Sequence, residues 1–118
     1  MLEVITVFTP FRLKLQRREP VHLTVEIINR GKDPTMASLQ VNLGNHLSFE
    51  KGGYKTRAME KINSFPPGDK KKFYYEIWPK QATKNGPQPV EIVAAEHYQS
   101  FNYVVKEYRK DTDLIVEE

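Results

Sequence analysis

The side chains of this sequence that could do chemistry are three histidines, scattered serines and carboxylates, and a lysine run beside aromatic residues. His22, His46 and His97 are the only imidazoles, and a metal site needs three or four ligands converging on one point. The local alternation turns His22 away from the apolar side of its segment, His46 falls at a turn, and His97 ends a segment beside Glu96. No spacing gathers them, so no metal site is expected. Ser38, Ser48, Ser64 and Ser100 lack the Gly-x-Ser-x-Gly elbow that exposes a nucleophile. Gly52-Gly53 is not followed by the Lys-Ser/Thr of a phosphate loop. Neither catalysis nor a bound cofactor is expected.

Lys70-Lys71-Lys72 runs directly into Phe73-Tyr74-Tyr75 and Trp78. Cations beside aromatic rings suit a single-strand nucleic-acid binder, the cations for phosphates and the rings for stacking bases. Arg12, Lys14, Arg17 and Arg18 form a second basic stretch. A lysine cluster ahead of a strand is more often a solvated turn, and alternation assigns Phe73, Tyr75 and Ile77 to the core. Tyr74 and Trp78 are then left on the outer side, roughly 13 Å apart at strand rise, with Glu76 between them. Exposed Tyr and Trp are common binding anchors. The candidate surface is therefore Tyr74 and Trp78, rimmed by Lys70, Lys71 and Lys72.

The elements that must position these residues are read from a period of two. Val21, Leu23, Val25 and Ile27 alternate with His22, Thr24 and Glu26, as in a half-buried strand. Ala37, Leu39, Val41 and Leu43 repeat the pattern; Leu47 and Phe49 continue it briefly, and Met59 to Phe65 carry it weakly. Leu2 to Phe8 open the chain, and Pro10 predicts a first strand that bends or switches sheets. A polar loop is expected from Pro79 to Pro89, then strands at Val90–Tyr98 and Phe101–Tyr108 joined at Gln99-Ser100. Both sides of the penultimate strand are partly apolar, which calls for cover by the N-terminal segment or a partner. Residues 1–108 read as one domain and 109–118 as an acidic tail, with Leu114-Ile115-Val116 able to dock back.

Helical periodicity is missing and turn signals recur, so seven or eight short strands predict an all-β immunoglobulin-like sandwich. The length of 118 residues suits a single domain with its own core. With no cysteine there are no disulfides or thiolate sites. The net charge of +3, from 18 basic and 15 acidic residues, is mild. No apolar run is long enough to span a membrane and no signal-peptide pattern is visible, so a cytoplasmic location is expected, or an extracellular one for an excised domain.

Three segments together resemble the CARDB-like group of cell-adhesion-related Ig-like domains of archaea and bacteria. They are Glu19 to Gly31, a strand running into Asn29-Arg30-Gly31; Ile62 to Asp69, a strand ending in Pro66-Pro67-Gly68-Asp69; and Gly86 to Val93, a loop glycine leading into a strand. The resemblance covers about residues 20 to 106 and implies an accessory module that spaces, docks or binds. The expected function is that of a non-catalytic protein-interaction or structural module: a subunit, docking domain or homo-oligomer. A carbohydrate-binding module, or a nucleic-acid binder using the Lys70 to Lys72 run, are the alternatives.

Overall fold

Alternation in the sequence becomes two facing sheets. In the computed structural model, which describes residues 1–17, 19–80 and 85–117, nine strands follow one another. They are β1 (Leu2–Thr9), β2 (Arg12–Lys14), β3 (Val21–Asn29), β4 (Thr35–Leu43), β5 (Leu47–Ser48), β6 (Arg57–Phe65), β7 (Lys70–Pro79), β8 (Gly86–Tyr98) and β9 (Ser100–Glu117). A 3-10 turn covers Leu15–Arg17. The count exceeds the expected seven or eight through the three-residue β2 and two-residue β5. Arg18 of the second basic stretch and positions 81–84 of the polar loop lie outside the described residues. Among the described residues no helix is long and apolar enough to cross a membrane.

One sheet has the order β1-β3-β7-β5 and the other β2-β9-β8-β4-β6. The chain passes from the first to the second between β1 and β2, at Pro10, as its position predicted. Pairing is antiparallel except for β2 against the end of β9. The inner faces supply the core: Val21, Leu23, Val25, Ile27 and Ile77 from one sheet meet Ala37, Leu39, Val41, Phe65, Ile92, Ala94 and Leu114 from the other. Burying each of the larger of these side chains contributes about 1.5–3 kcal/mol.

Four expectations are corrected. Residues 109–117 are not a tail but the second half of β9, whose Leu114 and Val116 enter the core. Lys70, Lys71 and Lys72 belong to β7 rather than to a turn, opposite Ile28, Ile27 and Glu26 of β3. Phe73 and Tyr75 point inward but are only half-buried, because beyond β7 stands only the short β5. The strand after the polar loop starts at Gly86, and Pro87 and Pro89 lie within it. Both prolines sit where β8 pairs with β9 alone, since its pairing to β4 begins at Val90, so their missing N–H groups break no central ladder.

Two of the segments that carry the family resemblance interlock at one end of the sandwich. Asn29 is buried; its Nδ2 donates to the carbonyls of Phe65 at 2.9 Å and Asp33 at 3.1 Å, and its Oδ1 accepts from the Gly31 N–H at 2.9 Å. Its backbone N–H donates to the Asp69 carbonyl at 3.1 Å, and its carbonyl accepts from Gly68 N–H at 2.7 Å. Gly68 adopts a φ of 80°, which suits glycine. A Cβ on Gly31 would lie 3.0 Å from the Met1 nitrogen and 3.1 Å from Asn29 Oδ1. The Asn-x-Gly and Pro-Gly-Asp motifs thus form one hydrogen-bonded junction that fixes where β3, β6 and β7 end.

Candidate functional site

The outer face of the four-stranded sheet is built by cross-strand rows. Register places Val7, Thr24 and Tyr74 side by side, then Ile5, Glu26 and Lys72 in the next outward row, then Thr9, His22 and Glu76. Tyr74 is 71% exposed, Val7 52% and Ile5 40%. These three side chains make an apolar strip across three strands, with Thr24 at its centre. Lys72 approaches Glu26 at 3.6 Å.

The expected surface residues are only partly brought together. Lys70 and Lys72 share the face of Tyr74, whereas Lys71 takes the opposite side by strand parity and is exposed at the end of the sandwich. Trp78 is half-buried, its Nε1 donating to Glu76 Oε2 at 3.3 Å and its ring covered by Lys51 Nζ at 5.6 Å from the centroid. Tyr74, not Trp78, is the open aromatic. Ile5 and Val7 belong to the strip although sequence reasoning did not place them there. Their signal was present: β1 is apolar at Val4 and Phe8 on one side and at Ile5 and Val7 on the other.

Below the strip, Tyr75 points into the gap between the sheets. Its ring lies 5.5 Å from that of Phe49, and its hydroxyl donates to Glu60 Oε1 at 3.2 Å. Burial, and then the Glu60 carboxylate, push the phenol well above its usual range. This bond ties β7 to β6 across the sandwich, and a cleft of about 380 Å³ opens beside it, lined by Phe49, Arg57, Met59, Tyr74 and Glu76 among others.

The histidines are dispersed. His22 is exposed on β3, while His97 lies on β8 of the other sheet, 7% exposed. Among the described residues no group of three or more His, Asp or Glu side chains could hold a metal ion. His97 Nε2 is 2.7 Å from Ser38 Oγ, but its buried Nδ1 has no partner, where a catalytic imidazole would be oriented by a third group. Phe101 packs edge-on against this ring at 5.2 Å, with Lys61 over its own face. The outer side of β8 is covered without β1, which lies in the other sheet: Ala95 is 5% exposed and Val93 sits half-buried between Gln40 and Arg109.

No protein-family model matches the chain, and no curated protein matches it in sequence. Solved structures share its fold. The sporulation control protein Spo0M of Bacillus subtilis superposes with a TM-score of 0.54 at 18% identity, over 99% of this chain and 49% of its own. AvmM, which catalyses macrocyclization in alchivemycin A biosynthesis, gives 0.53 at 8% identity, over 96% of this chain and 88% of its own. A β-glucuronidase of Bacteroides uniformis gives 0.51 at 10% identity over 94% of this chain. The chain spans 13% of that enzyme's length. At these identities the likeness is one of fold, all-β with two facing sheets.

Proposed function

We propose that this chain is an immunoglobulin-like, non-catalytic module that binds protein through the outer face of its four-stranded sheet. The observation that carries the reading is the Val7–Thr24–Tyr74 row with Ile5 beside it. It is an apolar strip left exposed on a sheet whose other face is a complete core. Tyr74 is the anchor, a large, stiff side chain that loses little entropy when covered. Lys70 lies on the same face beyond the strip, which favours a partner with an apolar centre and an acidic margin on that side.

The alternatives fit these residues less well. A sugar platform would use Trp78, whose ring is occupied by Lys51 and half-buried. Nucleic acid would require the lysines to act together, but Lys71 leaves the face and Lys72 meets Glu26. The similar sandwich that forms a small part of the Bacteroides uniformis β-glucuronidase supports the view that this architecture serves as a module of larger assemblies.

The test compares the unmodified chain with Tyr74→Ala in capture of proteins from its source cell, alongside a glycan array and single-stranded oligonucleotides. The reading expects proteins retained by the first and lost by the second at an unchanged melting temperature. Oligonucleotide binding that weakens steeply with salt, or glycan binding lost on replacing Trp78, would overturn it.

A further inference from the structure

We infer that two copies of this chain associate through β1, antiparallel and edge to edge, so that their four-stranded sheets join into one. This concerns the edge of the sheet and does not depend on what the face binds. Free strand edges are templates for pairing, and proteins guard them by shortness, charge or bulges. Every other edge among the described residues is guarded. β5 has two residues, and β2 has three with Arg12 and Lys14 among them. β6 carries Arg57, Glu60 and Lys61, and the part of β7 beyond β5 carries three lysines and Glu76. The open part of β9 runs from Ser100 to Leu114: its uncharged start, Phe101 to Val105, is broken by register shifts against β8, and Lys106-Glu107-Tyr108-Arg109-Lys110-Asp111 follow. Among these edges β1 alone is long, unbroken in register and almost uncharged: Leu2-Glu3-Val4-Ile5-Thr6-Val7-Phe8-Thr9, its one carboxylate held by Arg30 Nε at 2.6 Å.

The backbone says which groups are free. Met1 offers its carbonyl to the Arg30 N–H at 2.8 Å, and Asn29 turns both backbone groups toward Gly68 and Asp69. By the alternation of an antiparallel ladder, the odd residues of β1 bond to β3. Val4, Thr6 and Phe8 then direct their N–H and C=O groups outward at the free edge. A two-fold axis perpendicular to the sheet at Thr6 brings these groups together: Thr6 faces Thr6 of the second copy, and Val4 faces its Phe8, each pair exchanging two N–H···O bonds. Ile5 then opposes the second copy's Val7 in the non-hydrogen-bonded position, where side chains approach closest and β-branched pairs fit best. Glu3 meets Thr9, so no like charges are opposed. The pairing is self-complementary, as a two-fold interface requires. An edge contact of this length sits at the small end of interfaces, under about 1,200 Å², so association should depend on concentration.

Sedimentation equilibrium over a wide concentration range reads this directly, with each variant's fold checked by its melting temperature. The unmodified chain should approach twice its monomer mass as concentration rises. Ile5→Lys with Val7→Lys places cations opposite one another across the axis and should weaken association at least about tenfold, the factor for 1.4 kcal/mol. Ile5→Lys with Val7→Glu places opposite charges there and should restore much of it. In the unmodified chain, exchange of the Val4, Thr6 and Phe8 amides should slow with concentration, which needs no variant. A chain monomeric throughout overturns the proposal, as does a dimer indifferent to the two lysines, a failure of the charge-paired variant to recover, or exchange that ignores concentration. Tyr74→Ala should leave the dimer intact; if it abolishes association, the copies meet through the face and the edge proposal falls. Loss of partner capture alone, with the dimer unchanged, bears on the face and not on the edge.

Discussion

The two sheets of this sandwich have equivalent inner faces and opposite outer ones. On the five-stranded sheet the outward side chains are laced together: Gln40 donates to Asn42 at 3.2 Å, Asn42 to Glu91 at 3.0 Å, and Arg109 approaches Glu91 at 3.8 Å. On the four-stranded sheet the corresponding rows hold Ile5, Val7 and Tyr74 beside the single ion pair of Lys72 and Glu26 at 3.6 Å. The inner faces must be apolar because folding requires a core. The outer faces are free to differ, and a face that meets only water gains from polar side chains satisfied by one another. Exposed Met59 on the five-stranded sheet stands beside Gln40 of that network, whereas Ile5, Val7 and Tyr74 lie in adjacent rows around Thr24, and the proposed binding role rests on that grouping.

That comparison stands only if the inner faces are equal, which is where the largest effects lie. Ile27→Ala in one sheet and Leu39→Ala in the other should each cost about 2–5 kcal/mol, because both side chains are fully buried and leave a cavity. Denaturant midpoints measure this. A cost under about 1 kcal/mol at either position would mean the register is displaced by one residue and the faces exchanged.

Next is the junction that holds the sheets' ends. Asn29→Ala removes an amide that serves two carbonyls and one N–H in a buried place. The cost should lie toward the upper end of about 1–3 kcal/mol, the penalty for stranding a buried polar group. Urea unfolding of this variant beside Gly31→Ala would separate the lost bonds from a steric effect.

A pH experiment probes the link between the sheets. The Tyr75 phenol is held neutral in the folded state by burial and by Glu60, so its folded pKa is raised above the unfolded value. Stability from this source is complete below the unfolded value of about 10 and is lost as pH rises beyond it, because the unfolded chain releases the proton first. Tyr75→Phe should flatten that alkaline decline in a thermal-melt series. Part should remain, since burial also raises Tyr108, opposed by the Leu2 backbone and helped by Glu96.

How far the fold was legible follows from where patterning has a physical cause. Alternation in β3 and β4 marked their inner residues because each has a core on one side and a central place in its sheet. The same rule lost half of β9, where Lys106 to Asp113 carry almost no apolar side chains. Their strand is the outermost one over most of its length; Leu114 and Val116 are buried in the core, and Tyr108 packs half-buried against it. Phe73 and Tyr75 were assigned inward but overestimated in burial, because alternation gives direction and says nothing about how many neighbours a strand has. The lysine run misled for a related reason: charge at an edge strand looks like charge in a turn. At the site, Tyr74 was legible from its own strand, whereas Ile5 and Val7 join it only through a register that spans three strands.

The smallest effects test the outer faces themselves. Asn42→Ala breaks two hydrogen bonds of a partly exposed network and should cost about 0.5–1.5 kcal/mol. Tyr74→Ala should change stability by less than about 0.5 kcal/mol, because a side chain 71% exposed has little to lose on the folded side. Trp78→Ala separates the two aromatics: half-buried, bonded to Glu76 and covered by Lys51, it should cost clearly more than Tyr74→Ala. Calorimetric melting of the three variants under one buffer ranks them. If Tyr74 proved as costly as Trp78, the open ring would be packed in solution. The apolar face would then be part of the fold rather than a surface held ready for a partner.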